Sequence, residues 1–172
     1  DGKIYAAKGQ KVVNTDEDKK GNVVSGTFTI ENIAANIAFN VQDGSHQYFW
    51  QFRSDSKTLK KHTQIGNNIA VYGAEVPIVL NDGENTFLIA TVGDKIYTYL
   101  NDELIDVCDV NKELPTSGGF GIRNGGSESS YISNLNVGSN LKYTVSTTVT
   151  AEEKVQVNKN FLNKTIEYAK QQ

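Results

Sequence analysis

The sequence predicts an all-β fold over residues 1–149, a two-sheet antiparallel β-sandwich of jelly-roll type, with a C-terminal helix after it. Three observations predict it. Apolar and polar residues alternate with period two in run after run. Gly, Asn and Asp punctuate the runs where a chain must turn. Near residue 150 the period changes from strand to helix.

Taken in order, "GTFTIEN" sets Phe28 and Ile30 against Thr27 and Thr29, and "NIAFNVQD" sets Ile37, Phe39 and Val41 against Ala38 and Asn40. "HQYFWQF" places Tyr48, Trp50 and Phe52 on one face and Phe49, Gln51 and Arg53 on the other, since strand neighbours point to opposite sides. "NTFLIATVG", "KIYTYLN", "ELIDVCDV", "GGFGIRNG", "YISNLNV" and "LKYTVSTTV" complete the series, rich in β-branched and aromatic residues. The breaks between runs are "QDGS", "NDGE", "VGDK", "LNDE" and "NGGS". Each sheet of a sandwich needs one apolar face, so Phe39, Trp50, Phe87, Ile89, Phe120, Ile122 and Val137 are expected between the sheets. Cys108, the only cysteine, is expected to be a small buried hydrophobe in a strand.

Residues 150–172 read as a linker and helix. Thr150 followed by Glu153 is a capping-box spacing, and Val155, Leu162, Ile166 and Ala169 then share one helical face. One amphipathic helix is marginal alone in water. It either docks on the sandwich or begins a further helical module.

Composition narrows the function. Charged residues at 22% and hydrophobic residues at 38% are ordinary for a globular domain. A net charge of −3 argues against nucleic acid, which requires a basic face. No apolar run is long enough to suggest membrane insertion. One cysteine excludes an internal disulfide and a cysteine metal cage. The opening "DGKIYAAKGQ" has no start methionine and looks like a fragment or a mature piece.

The polar faces of the strands hold the candidate ligand-binding residues. With Tyr48, Trp50 and Phe52 assigned to core, Asn40, Gln51 and Arg53 are expected to line the opposite surface. Arg123 joins them if its strand lies in the same sheet, and Gly121 beside it is expected to leave room for a ligand. The alternative is that Arg123 pairs with Glu128 or another surface carboxylate. Tyr97 and Tyr99 share a face opposite Ile96, Thr98 and Leu100. Solvent-facing tyrosines of that period suit sugar rings, whose C–H faces stack on aromatics while hydroxyls meet amides and guanidinium groups; cross-strand packing explains them equally well.

Signals for chemistry are missing. "NGGSES" is not a nucleophile elbow, because Ser129 stands where the second Gly belongs. "GGFGIRNGG" lacks dinucleotide-loop spacing, and no clustered E-x-D-x-x-E lies on a strand. His62 has no partner at zinc spacing, with His46 in a turn. The acidic loops at 14–18 and 41–44 are candidates for a structural Ca2+, with solvated loops as the alternative.

Three segments, "AFNVQDGSHQYFWQFRSDSKTLKKH", "VGDKIYTYLNDELID" and "GGFGIRNGGSESSYISNLNV", carry a resemblance over roughly residues 26–138. Together they resemble the concanavalin/laminin-G-like jelly-roll modules attached to bacterial glycoside hydrolases, most nearly the non-catalytic module of α-L-rhamnosidases. That pattern matches Phe39, Tyr48, Trp50, Gln51, Leu59, His62, Leu100, Asn101, Gly121, Arg123, Glu128, Asn134 and Val137; Asn40 replaces its Arg and Asp102 its Gly. The tail "VNKNFLNKTIEYAKQ" is similar to the first helix of FIVAR-type modules in Gram-positive surface enzymes. The resemblance implies a carbohydrate-binding module with no chemistry of its own. It would hold a catalytic glycosidase domain of the same parent chain near a glycan or terminal sugar, in a protein secreted or attached to the cell wall. His62 joins the candidate ligand-binding set on this ground. A structural spacer without ligand is the rival expectation.

Overall fold

The computed structural model describes residues 3–15 and 20–138. The expected strand at 141–149 and the helix after Thr150 lie outside the described residues. Within them the chain is all β: two antiparallel sheets face each other as a sandwich.

The six-stranded sheet contains β1 (Ile4–Tyr5), β3 (Val23–Asn32), β9 (Glu84–Val92), β10 (Lys95–Leu100), β11 (Glu103–Asp109) and β13 (Ser129–Gly138), in the order β1-β13-β3-β9-β10-β11. The seven-stranded sheet runs β2 (Lys11–Asn14), β12 (Gly119–Arg123), β4 (Ala34–Asp43), β5 (His46–Arg53), β6 (Thr58–Ile65) and β7 (Asn68–Val71), with β8 (Val76–Pro77) paired to the far end of β6. Both ends of the described chain are tied in. Ile4 pairs with Ile132, and Lys11 with Arg123.

Turn chemistry sets the hairpins. Asn101 and Asp102 link β10 to β11 with φ of 49° and 68°, the pair of positive angles that a tight hairpin turn requires. Asp102 thus does the work expected of Gly there. Asn and Asp tolerate that region better than other side-chain-bearing residues. The β4–β5 turn is fastened by Asp43, whose Oδ1 accepts from the Ser45 amide at 2.7 Å.

The core between the sheets follows the alternation. Phe39, Tyr48, Trp50 and Phe52 meet Phe28, Phe87 and Ile89, with Ile122 also fully buried and Phe120 and Val137 half-buried against them. Trp50 stands edge-on to Phe39 at 4.7 Å, and its indole N–H donates to Thr98 Oγ1 at 2.8 Å across the interface. An indole buried this way needs that acceptor. Cys108 packs at the core edge, half-buried, and burial pushes its thiol up to about 12.

Two inward groups are charged. Lys61 points in from β6 and donates to Asp106 of β11 at 2.8 Å, joining the sheets where both groups have little solvent. A buried cation without its carboxylate would be far costlier than the pair.

Asn40 departs from the expected alternation. It takes φ of 49° at a bulge in β4 and turns its amide inward, donating to Thr91 Oγ1 at 2.8 Å. Val41 is thereby displaced to the opposite side, where it packs with Ala38 and Phe49. Asn40 therefore does not belong to the outward face, and Val41 does not belong to the inter-sheet core. An extra residue on one strand reverses the facing of everything beyond it.

Candidate functional site

The outward face of the seven-stranded sheet gathers most of the candidate residues. Register places Arg123 of β12 beside Asn36 of β4, Asn36 beside Gln51 of β5, and Gln51 beside Lys60 of β6. The neighbouring row is Gly121, Ala38, Phe49 and His62. Ile122, Ile37, Trp50 and Phe52 fill the core from the other side, so alternation turns these two rows outward.

Aromatic and cationic groups are layered here. The Arg123 guanidinium lies 5.0 Å from the Phe49 ring centroid, within cation–π range. His62 stacks on the same ring at 4.5 Å with 7° between planes. Burial lowers the pKa of His62, and the charges of Lys60 and Arg123 lower it further, so its ring is neutral at neutral pH. Lys11 is also lowered, by burial first and by Arg123 next, with Asp43 opposing.

A carboxylate organises the amides. Glu128 accepts from Asn36 Nδ2 at 2.7 Å, from Gln51 Nε2 at 2.8 Å and from the Gly125 amide at 2.8 Å. Arg53 donates to Gln51 Oε1 at 3.1 Å and holds Asp55 through two further bonds. Pairing with Glu128 or another surface carboxylate was the alternative expected for Arg123. Glu128 instead fixes the amide orientation of Asn36 and Gln51, while the guanidinium of Arg123 rests on Phe49. Asn36 was missed. It opens the alternating run of β4, and only the pairing of β4 with both β5 and β12 reveals its neighbours Gln51 and Arg123.

Two oxygens on this face have no hydrogen-bond partner, Asn36 Oδ1 and Gln47 Oε1. Both side chains are fully buried and spend their N–H groups on other acceptors. Asn36 donates to Arg123 O and Glu128, and Gln47 to Gln64 Oε1 and Gly44 O. His62 Nδ1 is likewise unpartnered. Buried polar atoms are nearly always satisfied; these three lie in successive rows of the face rather than together, and none is open to solvent.

The surroundings of Arg123 differ from expectation. The room beside Gly121 is taken by the protein itself: a Cβ there would lie 2.4 Å from Val12 O, and one at Gly119 would lie 1.9 Å from Asn14 O. The backbone of β2 thus rides over the face at these glycines, and Val13 covers Ala38, Val41 and Phe49. Lys11 reaches on to Gln64 Oε1 at 2.9 Å and to the Gly44 carbonyl. β2 closes one end of the face. Arg123, His62, Lys60 and Arg53 remain partly exposed at the other.

Tyr97 and Tyr99 are not part of it. They lie on β10 in the opposite sheet and are 6% and 1% exposed, packed with Val23, Leu88 and Ala90. The alternation that pairs them is as expected. Which sheet β10 joins is a long-range fact that a run of six residues does not carry.

No group of three or more His, Cys, Asp or Glu able to hold a metal ion occurs among the described residues. Asp43 is engaged by the Ser45 amide and by His46 at 3.0 Å. Residues 16–18 of the other acidic loop lie outside the described residues.

No family model matches the sequence, and no curated protein matches it. Solved structures do match the fold. A carbohydrate-binding module, CBM66 from Bacillus subtilis, aligns with a TM-score of 0.59 at 14% identity, covering 78% of this chain and 93% of that one. The CBM40 of a Ruminococcus gnavus IT-sialidase aligns at 0.56 and 10% identity, covering 92% and 97%. A galectin of Caenorhabditis elegans aligns at 0.54 and 9% identity, covering 76% and 94%. At these identities the likeness establishes the fold: this chain has the jelly-roll sandwich seen in carbohydrate-binding modules and galectins.

Proposed function

We propose that this chain is a non-catalytic carbohydrate-binding module whose glycan site is the outward face of the seven-stranded sheet, centred on Arg123. One observation carries the proposal. A partly exposed guanidinium lying on an aromatic ring stands beside a row of amides held in place by Glu128. Sugar hydroxyls supply donors and acceptors at fixed spacing, and a partly apolar floor suits the ring they are carried on. Arg123, Gln51, Arg53 and His62 are the proposed contacts, with the buried Asn36 supporting the row beneath them. Glu128 holds the amides in place. The carbohydrate-binding modules and the galectin among the structural neighbours support the sugar as ligand class.

The finer reading is that the module belongs to a secreted or wall-attached glycoside hydrolase of a Gram-positive bacterium. There it would raise the local concentration of a catalytic neighbour at its glycan. The likeness of the strand pattern to rhamnosidase modules supports it. A spacer without ligand has one observation on its side: Glu128 already engages Asn36, Gln51 and Gly125.

Affinity electrophoresis over a panel of glycans, with wild type and Arg123→Ala, tests the proposal. Losing a hydrogen bond to a charged group costs roughly 1.5–3 kcal/mol, so the variant should bind about ten- to a hundredfold more weakly. Its circular dichroism should be unchanged. Full retention by the variant moves the site elsewhere, and no retention of the wild type by any glycan favours the spacer.

A further inference from the structure

Lys11, Arg53, Lys60 and Arg123 place cations on the outward face of the seven-stranded sheet. The first pair are spent. Arg53 is held by Asp55, and Lys11 donates to Gln64 Oε1 and to the Gly44 carbonyl. Lys60 and Arg123 differ. Among the described residues neither side chain forms a hydrogen bond or a salt bridge, and both are partly exposed. The carboxylates of the face are engaged elsewhere, Asp55 with Arg53 and Glu128 with Asn36, Gln51 and the Gly125 amide.

Register makes these two cations a pair. Lys60, Gln51, Asn36 and Arg123 follow one another in a single row across β6, β5, β4 and β12. The cations stand at the ends of the row with the amides between them. Three strand spacings separate their Cα atoms, roughly 14 Å, an interval that two long side chains can close from both ends. His62 lies in the next row. After burial, the charges of Lys60 and Arg123 are what lower its pKa, so both fields reach the same ring. That ring stays neutral and brings no third charge.

The Arg123 guanidinium is also held in a useful attitude. Resting 5.0 Å from the Phe49 ring centroid fixes its plane and leaves its N–H edges to a ligand. Those edges match the paired oxygens of a carboxylate or a sulfate, and Lys60 adds a compact point charge. An anion between the two replaces repulsion between like charges with two attractions.

Resting on the reading of this face as a glycan site, we propose that its ligand is an acidic sugar, with a carboxylate or sulfate held between Arg123 and Lys60 and the sugar ring over His62. The face then selects by charge, because a neutral sugar of the same shape leaves both cations without a partner.

Calorimetric titration of the 172-residue chain with matched pairs of glycans tests this. The pairs are sialyllactose and lactose, an oligogalacturonate and its carboxyl-reduced form, and a sulfated galactan oligosaccharide and its desulfated form. In at least one pair the acidic member should bind at least about tenfold more tightly than the neutral one, as charge-assisted hydrogen bonds allow. Which pair responds tells a carboxylate from a sulfate. Raising NaCl from about 50 to about 500 mM should weaken that binding severalfold. Lys60→Gln should weaken it severalfold with an unchanged urea midpoint, and Lys60→Arg should keep it. Equal binding of acidic and neutral members overturns the inference and leaves the glycan face standing. Acid binding that Lys60→Gln does not alter overturns it as well, because the anion then sits elsewhere. No binding to any member of either charge overturns both readings.

Discussion

Single residues decide both the stability and the pH response. Trp50 fills the centre of the sandwich, fully buried, with Phe39 and Tyr48 edge-on to it and its N–H given to Thr98. Trp50→Ala should cost about 3–5 kcal/mol, the usual range for a large aromatic removed from a core; a urea titration that leaves the midpoint unmoved would contradict this. His62 makes a different prediction. Burial, with Lys60 and Arg123 nearby, holds the folded ring below the ordinary 6.5. As pH falls through 6.5 the unfolded chain takes up a proton that the folded chain refuses. Stability is therefore greatest above that value and declines as pH drops toward the folded pKa. The stability difference between wild type and His62→Gln should shrink or change sign on going from about pH 7.5 to about pH 5. A difference independent of pH would show that the ring does not titrate against Phe49 as described. Asn40 marks the limit of reading residues one at a time. Its neighbours alternate well, and only the bulge, a property of how β4 meets β5 and β12, sends its amide inward.

At the scale of elements, the alternation gave reliable facing wherever a strand was regular. Tyr48, Trp50 and Phe52 inward with Gln51 and Arg53 outward is a local pattern enforced by the pleat, and it was legible. The assignment of strands to sheets was not. Tyr97 and Arg123 each sit on a clearly marked strand, yet they belong to opposite sheets: β10 pairs with its neighbours β9 and β11, while β12 pairs with β4 and β2 from far earlier in the chain. The glycines of "GGFGIR" show the same thing. Their lack of a side chain was legible as a need for close approach, but the approaching group is β2 rather than a ligand. Gly119→Ala tests this element directly. Its Cβ would fall 1.9 Å from the Asn14 carbonyl oxygen, so backbone must move. The amides of Lys11–Asn14 should lose hydrogen-exchange protection while those of β5 keep theirs. Protection retained across β2 would mean that the strand does not ride over the sheet. The Lys61–Asp106 pair was not legible; β6 and β11 had to be placed face to face before it became a bond.

For the whole molecule, the feature with the longest reach is the pairing of the two ends of the sandwich. β1 is hydrogen-bonded to β13, and β2 to β12, across more than a hundred residues of chain. Contacts of such separation are slow to form, since the loop must close before any contact rewards it. A ribosome makes the N-terminal strands first and holds them without partners. The inner strands β4, β5 and β6 are consecutive hairpins and are able to pair as they emerge. β12, with Arg123, comes much later, and only then can β2 pair and shut one end of the proposed sugar face. The nascent chain therefore passes through a stage with a paired sheet and an unclosed surface, exposing Ala38, Val41 and Phe49. Completion of the proposed sugar face is then a late event of folding, and β2 acts as its latch.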